Sequence, residues 1–329
     1  MKPDRTLPVF LIAAACGFLA PDATAIVIGA NYGGAWNVDQ KNAFYFAENA
    51  VGSKLPTFYA GETIVVDVAW TAMKKNDGTP DTNTLGGSSL SFPFQWWANF
   101  GSSSAAYKPG TWYSSALANH LAGYDLSSAP EISIEFNSNY SKWYFGTDGI
   151  VPADKVEFIS VAIHEIVHGL GFYNLVEGDG KYRFYNSLGN PVETPLPSIF
   201  DTFVRGDRGD NTLDLLVNLT EAERTYAVTS GELYWSGDWA LDANFGQQIE
   251  LYSPATFSLP SSVSHLDPGQ FPDALMRPTW NPSRVANHSI PNVELGILYD
   301  IGWIPEPSSL TLLALSCALL MHARTRRQH

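Results

Sequence analysis

The chain has almost no cysteine. Its two cysteines, Cys16 and Cys317, stand in apolar stretches near opposite ends of the 329 residues. Such a pair offers neither a disulfide framework nor a set of thiolate ligands for a metal. The region between them must therefore be held by a hydrophobic core, and any metal site in it must use histidine or carboxylate ligands.

Basic residues are also scarce. The sequence has 19 lysines and arginines against 33 aspartates and glutamates, a formal net charge of −14. A negative surface repels nucleic acid, so we expect no nucleic-acid partner. The acidic excess would suit Ca²⁺, but neither an EF-hand nor a glycine–aspartate repeat is present, and calcium has no motif to support it.

Long apolar runs are missing, and the two short ones are terminal. Lys2 and Arg5 precede an apolar stretch at residues 7–19, and Ala23, Thr24 and Ala25 follow as small residues suited to cleavage. This arrangement predicts a secretory signal peptide over residues 1–25. A lipoprotein site at Cys16 is disfavoured because the usual leucine before the cysteine is absent.

The other apolar run lies in the C-terminal tail, residues 305–329. Pro305, Glu306 and Pro307 lead into residues 310–321, and a basic cluster at residues 324–327 follows. The run is shorter than the roughly 20 residues of a stable membrane span. The tail resembles the PEP-CTERM sorting signal of Gram-negative bacteria. That resemblance implies transient membrane association through the tail, processing by an exosortase, and delivery to the cell surface or extracellular matrix. A plain C-terminal transmembrane anchor is the alternative.

The most informative motif is His164-Glu165-Ile166-Val167-His168, an HExxH pattern. On a helix, residues four apart lie on one face, so both imidazoles can bind one Zn²⁺ ion. Glu165 lies about 100° around the helix and is placed as a general base beside a zinc-activated water. Apolar residues recur at helical spacing from residue 156 to 170, which predicts a buried helix that starts at an Asp154 cap and stops at Gly169 and Gly171.

A catalytic zinc needs a third protein ligand. The longer pattern HExxHxxGxxH would place a histidine where Asn174 stands, and an amide oxygen is a poor zinc ligand. His265 is the favoured replacement, with Asp267, Asn174 and Glu177 as alternatives. The remaining histidines are expected to have no catalytic role: His120 as surface or structural, and His288 as solvated.

Several spaced elements together resemble the leishmanolysin branch of the metzincin metallopeptidases. They are the HExxHxxG run, a distant Ser264-His265, the segment Leu275-Met276-Arg277-Pro278, and a closing Gly302-Trp303. The resemblance implies that His265 is the third zinc ligand and Met276 the methionine of the turn beneath the metal. It also implies an α+β fold, with a twisted mixed sheet over the active-site helix and an irregular C-terminal subdomain with a closing helix.

Local patterns predict further elements of one metallopeptidase domain, residues 26–304, with an upper subdomain at 26–172 and a lower one at 173–304. Strands are predicted at residues 63–70 and 131–136, and a loop between them at residues 74–91. Helices are predicted at residues 42–50, 112–121 and 221–227, the last capped by Thr220, and a closing helix lies between Pro291 and Gly302.

These features lead to one functional hypothesis and one rival. The hypothesis is a secreted zinc endopeptidase that acts on protein or peptide substrates, with His164, His168 and His265 as ligands and Glu165 as the base. The rival is a non-catalytic surface or exopolysaccharide-matrix protein on the same scaffold. Glu165 argues for the enzyme, because a scaffold would need the ligands but not the base.

Overall fold

A computed structural model describes residues 25–75, 77–88, 97–98, 108, 110–185, 190–280 and 285–304. Ala25–Ile304 form one compact unit. The predicted signal peptide, apart from Ala25, and the predicted sorting tail lie outside the described residues. Within the described ranges, no helix combines the length and apolar character that a membrane crossing requires.

The structure contains both helices and sheets, which is consistent with the α+β class expected from the sequence. Its helices are α1 (Val38–Gly52), α2 (Ser115–Ala122), α3 (Phe158–Gly169), α4 (Glu221–Ala227), α5 (Asp238–Ala243) and α6 (Asn292–Ile301). Strands of the first half are β1 (Val27–Gly33), β2 (Thr63–Thr71), β3 (Gly86–Ser88), β4 (Trp97–Ala98), β5 (Trp112–Tyr113), β6 (Ile132–Asn137), β7 (Trp143–Tyr144) and β8 (Val156–Glu157). Those of the second half are β9 (Tyr182–Tyr185), β10 (Pro191–Thr194), β11 (Val204–Asp207), β12 (Leu213–Leu215), β13 (Leu233–Trp235) and β14 (Ile249–Glu250). Short 3-10 helices occupy Phe200–Phe203 and Leu216–Asn218.

The central sheet has the order β1-β2-β6-β3. The first three strands run parallel, and β3 pairs antiparallel with β6 at the edge. Alternate residues of β2 and β6 are buried, as expected for strands with one face in the core. Helices α1 and α3 pack against each other, and α3 also packs against β6 and β3. The sheet therefore lies directly against the helix that carries the HExxH motif.

The loop predicted over residues 74–91 contains a strand. Gly86 and Gly87 have no side chains to mark an apolar alternation, which is why the sequence pattern hides β3. A β-carbon at Gly86 would lie 2.8 Å from the carbonyl oxygen of Glu135, so the close pairing with β6 requires glycine. This prediction was wrong at the point where the strand approaches the HExxH helix.

Helix α3 begins later than predicted. Glu157, not Asp154, is its N-cap, and the Glu157 carboxylate accepts a hydrogen bond from the backbone N–H of Ser160. The preceding residues are extended because β8 pairs with β7. Strand pairing thus overrides the capping pattern that starts at Asp154.

The two glycines at the end of α3 have different functions. Gly169 is still helical, and a β-carbon there would lie 2.4 Å from the Ile132 side chain, so this glycine permits close packing of the helix on β6. Gly171 has a φ of +110° and carries the chain out of the helix. The sequence predicted a stop at both positions, but only Gly171 supplies the unusual backbone conformation.

The closing helix α6 lies where it was predicted, between Pro291 and Gly302. Its last residues tie distant parts of the chain together. The Trp303 indole N–H donates to the carbonyl of Leu170 at the end of α3, and Asp300 accepts hydrogen bonds from the first backbone N–H groups of α5. The end of α6 is therefore tied both to the end of α3 and to the start of α5.

Other predicted elements are confirmed with adjusted bounds. Strand β2 and helix α1 cover their predicted ranges, and β6 begins and ends one residue later than predicted. Helix α4 is capped by Thr220 in a capping box with Glu223. Helix α2 starts at Ser115, since Trp112 and Tyr113 pair with β4 as strand β5.

Candidate metal centre

Three histidines meet at the surface of helix α3. His164 and His168 lie one turn apart on α3, and His265 comes from a segment that continues the pairing of β14 through Leu251 and Leu266. The Nε2 atom of His168 lies 3.1 Å from that of His164 and 3.2 Å from that of His265. The remaining distance, between the Nε2 atoms of His265 and His164, is 3.3 Å. The structure thus brings together the three residues that the sequence assigns as ligands.

Each imidazole is oriented by a main-chain carbonyl. The Nδ1 atoms of His164, His168 and His265 each lie 2.8 Å from a carbonyl oxygen, those of Leu275, Phe172 and Ser261 respectively. A carbonyl oxygen only accepts hydrogen bonds, so each Nδ1 must carry the proton. In the neutral ring, Nε2 is then unprotonated and directs its lone pair at the centre of the cluster.

The surroundings keep these rings neutral. Burial lowers the pKa of His168 to about 4 and that of His265 to about 3. The pKa of His164 also lies well below its usual value, first through burial and then because positive charge on His168 or His265 would repel a proton on His164. Three lone pairs therefore converge, and together they form a buried group that could bind a metal ion.

The donor set fits zinc. A tetrahedral zinc with nitrogen ligands at roughly 2.0–2.1 Å requires neighbouring ligand nitrogens about 3.3–3.4 Å apart. The 3.1–3.3 Å spacing of the three Nε2 atoms is close to that requirement. Three neutral imidazoles with a fourth position left for water or substrate are also typical of catalytic zinc sites.

The alternative ligands lie elsewhere. Glu177 accepts hydrogen bonds from Arg183 and Tyr185, and Asp267 accepts one from the backbone N–H of Gly269. Among the residues that the structure describes, the candidate metal-binding group contains only the three histidines.

Asn174 lies close to the site but is not part of the candidate metal-binding group. Its Oδ1 accepts a hydrogen bond from the Ser264 hydroxyl, and its Nδ2 donates to the carbonyl of Val176 at 2.5 Å. Both Asn174 and Ser264 are buried. Because Ser264 precedes His265, this bond ties the segment of the third imidazole to the segment that follows α3.

Glu165 lies beside the three imidazoles and is held by the edge strand β3. The backbone N–H of Ser88 donates to Glu165 Oε2 at 2.7 Å, and the Ser88 hydroxyl donates to the Glu165 carbonyl. Burial raises the pKa of Glu165 to about 7, while the hydrogen bonds from Ser88 act in the opposite direction. The carboxylate is thus fixed in place and able to exchange a proton near neutral pH.

These groups line a cavity of about 430 Å³. Strand β3 forms one wall, and residues 277–280 form part of another. Arg277 brings a positive charge to this second wall. Its Nη1 donates to the carbonyl of Pro272 at 2.8 Å, and its guanidinium lies 5.6 Å from the centre of the Trp280 indole ring.

Met276 is fully buried next to this wall. Its carbonyl accepts a hydrogen bond from the backbone N–H of Leu266 at 2.7 Å, and the preceding residue, Leu275, accepts the Nδ1 proton of His164. The turn at Leu275 and Met276 therefore contacts the helix of the first ligand and the segment of the third.

Two further histidines are structural. His120 is buried, bonds to Glu62 at 2.6 Å and packs on the Trp303 ring, which agrees with the structural alternative for this residue. His288 was expected to be solvated, and this was wrong. Its ring bonds to the Glu157 carboxylate at 2.5 Å and packs on Phe46, because the loop after the methionine turn lies against the start of α3.

The sequence predicts neither Ser88 as a site residue nor the contacts of the Leu275–Met276 turn. Ser88 lies 77 residues from Glu165 in a glycine-rich stretch without a motif. Hydrogen bonds of the main chain do not depend on residue type, so a sequence does not indicate them. The glycine pair before Ser88 is the only signal that could have indicated a close backbone approach.

In comparisons with known proteins, no family model, curated protein or solved structure matches this chain.

Proposed function

We propose that this chain is a zinc-dependent endopeptidase with a leishmanolysin-like, metzincin-type arrangement of its site. The observation that carries the proposal is the convergence of three histidine Nε2 atoms beside Glu165 in one cavity. A histidine cluster with only a structural function would not require a neighbouring carboxylate whose pKa is raised.

The chain's own residues account for binding and proton transfer. His164, His168 and His265 would hold the ion through Nε2, and zinc there would polarise a substrate carbonyl and lower the pKa of a water molecule. Glu165 accepts the proton of the attacking water and donates it to the leaving amine. Its raised pKa suits both transfers near neutral pH, and the Ser88 N–H keeps the carboxylate directed at the cavity.

The arrangement of elements supports the metzincin-type part of the proposal. A mixed sheet with one antiparallel edge strand packs on α3, the third histidine comes from 97 residues beyond the second, and a buried methionine follows it. The resemblance in sequence involves the same residues. Export, processing of the tail by an exosortase, and delivery to the cell surface or matrix are proposals that rest on the terminal sequences alone.

The test is hydrolysis of casein or gelatin by the purified chain, with and without a chelator. We expect activity that a chelator abolishes and zinc restores. Glu165→Gln should retain zinc and lose at least about 100-fold in kcat, since general acid–base catalysis contributes roughly 10²–10⁴-fold. His265→Ala should lose both zinc and activity.

The same variants separate the enzyme from the matrix-protein alternative. If the wild-type chain carries one zinc per molecule but cleaves no peptide bond, the scaffold hypothesis is favoured. If Glu165→Gln remains fully active with zinc bound, the assignment of Glu165 as the proton-transfer group is wrong.

A further inference from the structure

The turn at Leu275 and Met276 connects three parts of the metal centre. The carbonyl of Leu275 accepts the Nδ1 proton of His164, and the carbonyl of Met276 accepts the N–H of Leu266, the residue after His265. The orientation of these two carbonyls therefore influences both the first and the third imidazole. A movement of the turn would displace two of the three ligands together.

A buried carboxylate on α6 holds this turn. Glu294 lies in the first turn of α6 and is 2 % exposed. Its Oε1 accepts a hydrogen bond from the backbone N–H of Leu275 at 2.9 Å. Burial raises the pKa of Glu294, and the backbone N–H groups of Glu294, Leu275 and Met276 oppose that rise because they favour the charged form.

We propose that Glu294 is a positioning residue of the metal centre, which fixes Leu275 and through its carbonyl the orientation and tautomer of His164. Leu275 donates its N–H to Glu294 and presents its C=O to the His164 ring. A hydrogen bond to a charged carboxylate is stronger than one to a neutral acceptor, so this bond restrains Leu275 firmly. The restrained carbonyl keeps the proton on Nδ1 and leaves Nε2 directed at the centre of the cluster.

The arrangement extends a known principle of metal sites. A ligating histidine usually donates its second N–H to a carboxylate or carbonyl, and loss of such a partner typically lowers metal affinity 10–100-fold. Here the carboxylate acts one peptide further out, so its effect reaches the imidazole through the main chain. The inference rests on the metal-binding part of the proposed function and does not depend on which bond is hydrolysed.

The test substitutes Glu294→Gln in the full chain and measures zinc affinity by competition with a chelating dye, together with the visible absorption spectrum of the cobalt-loaded protein. Gln keeps the size of the side chain but replaces one acceptor by an NH₂ group, which would face a backbone N–H. We expect zinc affinity to fall about 10-fold or more. The cobalt spectrum should also change, because a ligand orientation has changed.

The matched control is Asp300→Asn on the same helix. Asp300 is a half-buried carboxylate that likewise accepts hydrogen bonds from backbone N–H groups, but its partners are Trp239 and Ala240 at the start of α5 and the Trp235 indole. We expect this control to lower the free energy of unfolding and to leave zinc affinity and the cobalt spectrum unchanged. A purely structural function of Glu294 would give the same result as the control.

A second variant, Glu294→Asp, covers the case in which Glu294→Gln does not fold. Asp retains the charge on a shorter side chain, so we expect zinc affinity between those of the wild type and the glutamine variant. Unchanged zinc affinity and an unchanged cobalt spectrum in folded Glu294 variants would overturn the inference while the metal centre stands. A wild-type chain that binds neither zinc nor cobalt would overturn both the inference and the proposed function.

Discussion

Each candidate ligand is held by a main-chain carbonyl, and this has a consequence for mutagenesis. Side-chain substitutions at Leu275, Phe172 or Ser261 leave the carbonyl that accepts the Nδ1 proton in place. The orientation of the imidazoles therefore depends on what fixes the backbone. Buried polar side chains such as Asn174 supply that restraint, and their loss should reduce metal affinity without removal of a ligand.

Asn174→Ala tests this at the segment of the third ligand. The substitution removes the hydrogen bonds to Ser264 and to the carbonyl of Val176 and leaves a buried carbonyl without its donor. We expect a loss of about 1–3 kcal/mol in the free energy of unfolding. We also expect zinc affinity to fall about 10-fold, because His265 becomes less restrained. Urea denaturation and a zinc competition assay measure the two effects.

Asn119→Ala is the control for that prediction. Asn119 is also a buried amide, and it bonds to Glu131 and to the backbone N–H of Leu126. It does not line the cavity. A similar loss of stability with unchanged zinc affinity is expected. If both variants lower zinc affinity equally, Asn174 has no specific influence on the site.

The buried carboxyl group of Asp201 should make the stability of the fold depend on pH. Its Oδ2 accepts hydrogen bonds from Leu175 and Ser198, yet burial dominates and raises the pKa of Asp201 to about 6, against an ordinary value of 3.8. The folded state thus binds the proton more tightly than the unfolded state. The stability that this tighter proton binding at Asp201 contributes is fully present below pH 3.8 and is lost as the pH rises to about 6.

The variant Asp201→Asn lacks this titration. We expect the difference in free energy of unfolding between the wild type and Asp201→Asn to change by up to about 3 kcal/mol between pH 3.8 and 6, at 1.36 kcal/mol per pKa unit, in the direction that weakens the wild type. Urea denaturation of the metal-free proteins across this range measures it. A difference that stays constant with pH would show that Asp201 keeps an ordinary pKa in the folded chain.

At the scale of secondary-structure elements, the packing of α3 on β6 sets the position of two candidate ligands, His164 and His168. The contact depends on Gly169, where a β-carbon would meet the fully buried Ile132. Ile132 has no room to withdraw, so we expect Gly169→Ala to cost about 1–3 kcal/mol in the free energy of unfolding through overpacking. Denaturation of the metal-free protein measures this cost.

The control for this prediction is Gly29→Ala in β1. A β-carbon at Gly29 meets no atom within 4 Å, so stability should change by less than about 0.5 kcal/mol. Equal effects at the two positions would mean that α3 can shift away from the sheet at little cost. In that case the ligand spacing would not depend on this contact.

An element can be predicted from sequence only when its own residues carry a local signal. Helix α4 has a capping box, α6 has regularly spaced apolar residues between Pro291 and Gly302, and alternate residues of β2 are buried, so their sequences predict them. Strand β3 and the start of α3 are set by pairing with β6 and β7, partners that no local pattern contains. Long-range pairing therefore accounts for both errors next to the site.

The residues of the site also differ in whether a local sequence signal predicts them. His164, Glu165 and His168 follow from a local motif, and His265 follows from its resemblance to a family pattern. Ser88 donates its own backbone N–H to Glu165, 77 residues away, and Glu294 accepts the backbone N–H of Leu275, 19 residues before it. Residue types alone do not reveal such contacts. Sequence therefore predicts the groups that would touch the metal more readily than the groups that hold them in position.

At the scale of the whole molecule, a metal would join two regions of the chain. His168 and His265 are 97 residues apart, and their Nε2 atoms lie within 3.2 Å. Without a cation, three converging lone pairs repel one another, and burial adds the cost of keeping them from water. Metal binding should therefore stabilise the entire compact unit, because the ion is bound only when α3 and the His265 segment are both in place.

We expect a chelator to lower the thermal midpoint of the wild type. With free zinc at 1,000 times Kd, binding stabilises the folded state by about 4 kcal/mol, which corresponds to a shift on the order of 10 °C for a domain of this size. His265→Ala should lose most of the zinc-dependent shift. His288→Gln, a histidine substitution outside the cluster, should retain it even if its baseline midpoint is lower, since His288 bonds to Glu157 and not to the other imidazoles. Calorimetry with and without chelator measures all three proteins. A wild-type midpoint that does not respond to zinc, or a His265→Ala midpoint that responds as strongly as the wild type, would mean that the ion does not bridge α3 and the segment of His265.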